Sequence, residues 1–347
     1  MAKTLIIYAS FGEGHKQAAL ALRKYCNAPC KDLLNFSPPF FKRIYSYSYL
    51  FITNYFPFIW EYFYSKAQRS VFALFIERIH QIVFWTFFIY LEIYKPETII
   101  TTHFFPSFMV SLVKKKLGVK VISVVTDLRA YPLWVNKYVD TYVVAHDLTK
   151  RDLIELGVDQ DKILSGYVSL REGFLTRPSD QDIRKKLKVG SKPCLLFMSS
   201  LRGKFPYVKD MISSFGNEYT ILIIYGKNKR LKSYLDEKNF SYVRYFPFYQ
   251  DIWELMSISS IIVTKPGGLT VFEGLYLKKP FIFTHYIPPQ EEENMKLLIK
   301  YGVGKYVRDG EEFIEAVNGF SKQADQISNN YPLEIQDIRK VLTEYIN

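Results

Sequence analysis

Residues 261–276 read IIVTKPGGLTVFEGLY. Ile261 to Thr264 is a short β-branched run of the kind that forms a strand, and the residues after Gly268 continue as a helix that carries Glu273. Between them Gly267 and Gly268 leave the helix start bare, so its N–H groups and positive dipole end can hold a diphosphate without a metal. Thr270 can add a hydroxyl donor, and Glu273, one turn on, can accept two hydrogen bonds from a ribose diol. The bland alternative is a glycine-rich helix cap with a solvated glutamate.

Working outward, the same strand-to-helix alternation recurs through most of the chain. Probable strands are Leu5 to Ala9, Thr98 to Thr102, Val119 to Val125, Thr141 to Ala145, Leu195 to Met198, Thr220 to Tyr225, Ile261 to Thr264 and Phe281 to Thr284. Alternation of this kind predicts an α/β protein with parallel sheets covered by helices on both faces. A length of 347 residues favours two domains, and the pattern restarts near Cys194. The expectation is therefore two Rossmann-like, doubly wound domains facing a cleft. They would cover residues 1–170 and 171–330, with 331–347 as a C-terminal helix packing back on the first. Arg171 to Lys192, polar and charged, is the expected linker. Phe36 to Lys95 breaks the alternation and reads as an aromatic-rich helical insertion.

Two further clusters follow strand ends, where doubly wound sheets bind ligands. The first is Ala9-Ser10-Phe11-Gly12-Glu13-Gly14-His15, in which Gly12 and Gly14 allow close backbone approach and His15 can take a proton from a hydroxyl near neutral pH. The second is Pro288-Pro289-Gln290-Glu291-Glu292-Glu293-Asn294, where Gln290, Glu291 and Asn294 share one face of a first helical turn and can read sugar hydroxyls. Glutamates at a helix start also simply complement its dipole. The strings Asp159-Gln160-Asp161 and Asp180-Gln181-Asp182 fit a polar turn and a helix cap better than a metal pair, and no metal is expected.

Composition narrows the partner. The formal charge is +12, and residues 1–125 hold 15 Lys and Arg against 6 Asp and Glu, so most of the excess lies in the first third. That third also holds many of the 28 Phe and 27 Tyr, with Lys42, Arg43, Lys66, Arg69 and Arg78 among rings. Cations beside aromatics suit an anionic membrane surface, with a buried insertion core as the alternative. No nucleic-acid recognition motif is present, and the rings cluster too densely for base stacking. Cys26, Cys30 and Cys194 fit neither a disulfide framework nor a zinc site, which points to a reducing cytoplasm. Met1 to Ser10 is too short an apolar run for a signal peptide, and the ten-residue run Ile82 to Leu91 is too short to span a bilayer.

Taken in order, these motifs resemble the monogalactosyldiacylglycerol synthase and processive diacylglycerol glucosyltransferase family, relatives of the peptidoglycan lipid-I N-acetylglucosaminyltransferase. The resemblance runs from Leu5 to about Arg308. It rests on the GxGH turn, Thr102-His103 before Pro106, Thr126-Asp127 with Trp134 seven residues later, Gly226-Lys227-Asn228, Thr264 to Thr270 with Glu273, and Gln290 to Asn294. It implies a GT-B fold and an inverting, metal-independent transfer of a hexose from a UDP-sugar to diacylglycerol or a glycosyl-diacylglycerol. The place implied is the inner face of the cell membrane, where the protein would be peripheral.

By position, Phe248 and Tyr249 would lie against the uracil, and Gly203, Gly226, Asn228, Gly267, Gly268 and Thr270 on the donor. Glu273 would hold the ribose, with Gln290, Glu291 and Asn294 near the hexose. His15 and Asp127 would be catalytic, and Gly12, Gly14, His103 and Trp134 would face the acceptor. The chain departs from the family pattern at Tyr131 (usually His), at Pro289 (usually Gly), in Ser199 to Gly203, where only Gly203 matches a glycine pair, and at Gly166-Tyr167-Val168, where Gly-Ile-Pro is usual. Three alternatives accompany this reading: a polyprenyl-linked sugar acceptor, a nucleotide-sugar epimerase of the same fold, and a non-catalytic basic membrane-binding protein.

Overall fold

The computed structural model describes residues 3–11, 13–42, 78–176, 178–198, 207–288, 290–329, 335–339 and 341–342. The chain divides into two compact units. One comprises Met1–Arg171, Ile287–Gln290 and Ile335–Asn347, the other Glu172–Tyr286 and Glu291–Glu334.

The first unit is built on β1 (Thr4–Tyr8), β2 (Cys30–Asp32), β3 (Thr98–Thr101), β4 (Lys120–Val124), β5 (Thr141–Val144) and β6 (Ile163–Ser165). They form one parallel sheet in the order β2-β1-β3-β4-β5-β6. Because side chains alternate across a strand, the central strands must be apolar on both faces. Leu5, Ile7, Ile99 and Val121 pack on one side with Phe84, Phe87 and Leu91. Ile6, Ile100, Ile122 and Val143 pack on the other with Ala19 and Leu22 of the helix Glu13–Cys26.

The second unit contains β8 (Cys194–Met198), β9 (Thr220–Ile224), β10 (Val243–Phe246), β11 (Ser259–Thr264), β12 (Phe281–Phe283) and β13 (Gly304–Tyr306). These are again all parallel, in the order β10-β9-β8-β11-β12-β13. Leu195, Phe197, Ile221, Ile223, Ile261 and Val263 line one face against Met211, Phe215, Phe313 and Val317. In each sheet the chain works outward in both directions from its first strand. The connections therefore diverge between β1 and β3 and between β8 and β11, and such switch points leave a crevice at the strands' carboxyl ends.

Three details differ from the sequence expectation. The eight expected strands are present within a residue or two, but the edges β2, β6, β10 and β13 were not foreseen. Arg171 to Lys192 is no open linker, since it contains the helices Glu172–Leu175 and Asp180–Leu187, which bury Phe174 and Ile183. In the described part of the C-terminal tail, β14 (Gln336–Asp337) pairs in parallel with β7 (Tyr167–Val168), because the extended backbone there finds partners at Gly166 and Val168, and residues 339 and 341–342 beyond it are helical. Past it, Ile338 and Leu342 lie in the core beside Ala19 and Leu22, and Tyr25 Oη donates to the Arg339 carbonyl. Among the described residues no helix is long and apolar enough to cross a membrane. Of the proposed insertion, residues 43–77, with Arg43, Lys66 and Arg69, lie outside the described residues.

Ile338 is 1% exposed. Ile338→Ala should therefore cost about 2–5 kcal/mol through lost burial and the cavity left behind, seen as a lower melting temperature. An unchanged melting temperature would mean that the tail contributes nothing to the first unit.

Candidate active site

In the first unit the β1–β3 switch point gathers the histidines. Asp32, at the end of β2, accepts from the Ser10 N–H at 3.2 Å and from the Leu34 N–H at 3.1 Å, which pins the turn after β1. The helix Glu13–Cys26 follows, with Gly14 and His15 half-buried in its first turn, while Gly12 lies outside the described residues. His15 Nδ1 is 3.1 Å from the Thr102 carbonyl oxygen and 2.7 Å from Thr126 Oγ1. A carbonyl only accepts, so the Thr102 contact is a hydrogen bond in the tautomer with the proton on Nδ1, which puts the ring's lone pair on Nε2. The Thr102 hydroxyl donates to the His15 carbonyl at 2.9 Å, closing the arrangement from the other side. Sequence reasoning named His15 but missed the two threonines that orient it, although both stood in the quoted Thr-His and Thr-Asp pairs.

His103 stands edge-on to His15, with ring centroids 4.4 Å apart. It is buried, and its Nδ1 accepts from the Phe105 N–H at 3.0 Å, capping the helix Phe104–Ser111. Burial, and then the neighbouring His15, hold its pKa well below 6.5, so the ring stays neutral. Trp134 is fully buried and gives its indole N–H to Asp127 at 2.9 Å. His103 and Trp134, expected to face the acceptor, and Asp127, expected to be catalytic, are all buried. The loop that carries Thr126 and Asp127 is clamped further along. Asp152 takes Nε and Nη2 of Arg129 at 2.8 Å each and the Ala130 N–H at 2.9 Å.

In the second unit, β11 leads into the bare turn at the β8–β11 switch point. Gly267 caps the helix Gly268–Tyr276 with no side-chain hydrogen bond. Thr270 is half-buried on that turn, and Glu273, one turn on, is 1% exposed. The helix sits tight on the sheet because Gly274 meets the Phe281 ring, where a Cβ would lie 2.2 Å from ring carbon. In the helix Gln290–Lys300, Glu291 is ion-paired with Lys265, and Asn294 donates Nδ2 to the Pro266 carbonyl at 3.0 Å. Glu292 and Glu293 instead pair with Lys296. Glu291 and Asn294 thus meet the Gly267 turn, while the other two glutamates serve the helix surface. Of Gln290 only its place at the helix start is described.

The remaining donor-side residues scatter. Gly226 adopts a left-handed φ of 60°, and Asn228 caps the helix Lys229–Lys238 through the Leu231 N–H at 3.0 Å. Phe248 is 67% exposed just past β10. Tyr249 turns its hydroxyl to Glu254 at 2.5 Å, and burial together with that carboxylate raises its pKa. Gly203 lies outside the described residues. Of the two Asp-x-Asp strings, the first caps the short helix Gln160–Lys162 through Asp159, and the second opens the helix Asp180–Leu187, which Ser179 caps. Among the described residues no group of three or more His, Cys, Asp or Glu is placed to hold a metal ion.

Residues 15–165 match the family model described as monogalactosyldiacylglycerol (MGDG) synthase, and residues 189–330 match the glycosyltransferase family 28 C-terminal domain. The chain is 30% identical over 337 residues to the processive diacylglycerol beta-glucosyltransferase of Bacillus cytotoxicus, spanning 90% of this chain and 84% of that one. To the enzyme of the same name from Bacillus cereus it is 29% identical over 334 residues, spanning 89% and 83%. Among solved structures, UDP-GlcNAc 2-epimerase from Neisseria meningitidis bound to UDP-GlcNAc superposes with a TM-score of 0.61 at 15% identity, covering 99% of each chain. Acinetobacter baumannii MurG does so with a TM-score of 0.59 at 13% identity, covering 100% of this chain and 99% of that one. At such identities the likeness shows fold alone, and with the two doubly wound sheets it places the chain in the GT-B class.

The neutral, buried His103 has a consequence for stability. A base whose pKa falls on folding binds its proton only in the unfolded chain at mildly acid pH, so stability declines as pH falls below the ordinary 6.5. His103→Asn keeps a side-chain acceptor for the helix cap and removes the titration. Melting temperature between pH 7 and pH 5 should then fall less steeply in the variant than in the wild type; equal slopes would show that His103 is not the group responsible.

Proposed function

The chain belongs to the monogalactosyldiacylglycerol synthase and processive diacylglycerol glucosyltransferase family and is a glycosyltransferase; on that premise we propose that it transfers a hexose from a UDP-sugar to diacylglycerol or a glycosyl-diacylglycerol at a membrane surface. The acceptor hydroxyl oxygen attacks the anomeric carbon in one inverting displacement. Its proton passes to His15, and the bond from the anomeric carbon to the β-phosphate oxygen breaks with its electron pair leaving on UDP. The contact of His15 Nδ1 with the Thr102 carbonyl carries this reading, because the tautomer that makes it a hydrogen bond leaves the lone pair on Nε2. A backbone carbonyl here does what a carboxylate does beside many catalytic histidines: it fixes tautomer and ring orientation. Asp127, Trp134 and His103 support that ring, and Gly12 and Gly14 serve the acceptor side.

The donor falls to the second unit, and no metal takes part. The Gly267-Gly268 helix end and Thr270 take the diphosphate, and Glu273 takes the ribose. Phe248 stacks on the uracil with Tyr249 beside it, and Gly203, Gly226 and Asn228 complete the nucleotide side. Gln290, Glu291 and Asn294 read the hexose.

The membrane reading has its own support. Ile82, Trp85, Ile89 and Ile93 are exposed at helical spacing, while Phe84, Phe87 and Leu91 of the same stretch are buried in the core. A helix apolar on both sides has more apolar surface than its fold needs. Phe40 is also exposed, and Lys116 pairs with Glu92 beside Ile93. Such a stripe with cations near it suits peripheral attachment to an anionic bilayer, on the inner face of the cell membrane.

His15→Gln should lower kcat by roughly 10²- to 10⁴-fold while leaving UDP affinity within twofold of the wild type; a variant of undiminished kcat removes His15 as base. Thin-layer analysis of lipid products, with UDP-glucose and UDP-galactose run in parallel on diacylglycerol liposomes, tests the acceptor and identifies the hexose. Conversion of a UDP-sugar without lipid would instead mark an epimerase. Trp85→Asp combined with Ile89→Asp should reduce flotation with anionic liposomes and leave UDP binding intact. If the double variant floats as the wild type does, this stripe is not the membrane contact.

A further inference from the structure

Lys265 stands between β11 and the Gly267 turn, and the donor arrangement above gives it no part. Its ammonium is ion-paired with Glu291, and both groups lie against the bare helix start. A methyl placed on Gly267 would sit 3.6 Å from Lys265 Nζ and 3.8 Å from Glu291 Oε1. Glu291 is 7% exposed, so the pair is largely withdrawn from water. Beside it Asn294 is fully buried, with Nδ2 committed to the Pro266 carbonyl and Oδ1 without a hydrogen-bond partner. A buried acceptor with no donor points to a hydroxyl-bearing ligand at this turn. Four groups therefore converge on one spot: a helix dipole, a cation, a carboxylate and an unmet amide oxygen.

Resting on the donor site proposed above, we propose that Lys265 is the counter-charge of the departing diphosphate and that Glu291 holds it in reserve until the donor binds. A helix end supplies about half an elementary charge. When the bond from the anomeric carbon to the β-phosphate oxygen breaks, the electron pair adds a full negative charge on that oxygen. An ammonium a few ångströms from the helix start, in a site of low dielectric, supplies the rest. Without ligand, Lys265 and Glu291 satisfy each other. With the UDP-sugar bound, the ammonium moves to the β-phosphate, and the carboxylate is released to accept hydrogen bonds from hexose hydroxyls, with the Asn294 Oδ1 taking another. No proton or bond changes in the exchange, and each charge leaves one partner for another.

The exchange has a signature that a purely structural ion pair lacks. Lys265→Met should weaken UDP by roughly ten- to a hundredfold, as for a lost charged hydrogen bond, and leave uridine affinity nearly unchanged. Glu291→Gln removes the competitor for the ammonium, so UDP alone should bind more tightly, by about threefold or more, while kcat/KM for the UDP-hexose falls. Lys265→Arg should restore part of the UDP affinity. Because Lys265→Met leaves a buried carboxylate unpaired, the double variant Lys265→Met/Glu291→Gln is measured as well; it should melt near the wild type and still bind UDP weakly. Calorimetry with UDP and with uridine reads all four proteins. If the wild type does not bind UDP, the donor site itself is wrong. If it does, but the double variant binds UDP as tightly or Glu291→Gln fails to tighten it, the exchange is overturned and the pair is structural.

Discussion

Parallel pairing of every strand in the two six-stranded sheets is the constraint from which the rest of the structure follows. Parallel neighbours cannot be joined by a hairpin, so each connection crosses back over a face of the sheet, and every strand delivers its carboxyl end to the same edge. Where successive connections leave for opposite sides, two loops diverge and backbone N–H groups stay unshared. The β1–β3 divergence sets His15 against Thr102, and β11 at the other divergence delivers Lys265 to the Gly267 turn. One geometric device thus occurs twice, once around a histidine and once around a helix start.

The same constraint explains which strands could be read from the sequence. A strand with neighbours on both sides and helices on both faces must be apolar throughout, and Leu5-Ile6-Ile7, Ile99-Ile100 and Leu195-Leu196-Phe197 announce themselves for that reason. The unforeseen strands are the outermost ones. Cys30-Lys31-Asp32 and Gly304-Lys305-Tyr306 place a lysine at the centre of a three-residue run, and Arg244 interrupts β10. Charge and brevity at an edge protect it from pairing with another chain, and they erase the pattern by which a strand is recognised. β7 and β14 pair across a sequence separation that no local pattern can encode.

In the site, residues fixed by local chemistry were legible and residues fixed by tertiary geometry were not. Glycine turns after strands, and a histidine at a helix start, follow from neighbouring residues alone. That a carbonyl 87 positions away would hold the His15 ring does not, nor does the separation of Glu291 from Glu292 and Glu293, which depends on where Lys265 and Lys296 stand. Asn228 shows the opposite hazard: a polar residue in a motif whose visible work is capping a helix. Trp134 and Asp127 are a pair by hydrogen bond as well as by spacing, and their burial could not be read from the motif.

Two features run against what folding alone would choose. Withdrawing Glu291 and part of Lys265 from water carries a desolvation cost, and a well-packed apolar pair of similar volume often stabilises a protein as well or better. The turn at Gly267 therefore does not need those charges for stability. Nor does the first unit need Ile82, Trp85, Ile89 and Ile93, since Phe84, Phe87 and Leu91 already secure that segment to the core, and an apolar outer face only lowers solubility. Where a sequence departs from the demands of its own fold, the compensation lies with something the fold must meet. On the proposed function, the opposite charge of a diphosphate would meet the departure at Lys265, and an apolar phase would meet it at the outer face of the Trp85–Tyr94 helix. That proposal sets a site for a water-soluble anion and a site for lipid on separate elements of one chain, the pair of affinities that a transferase from a nucleotide sugar to a membrane acceptor requires.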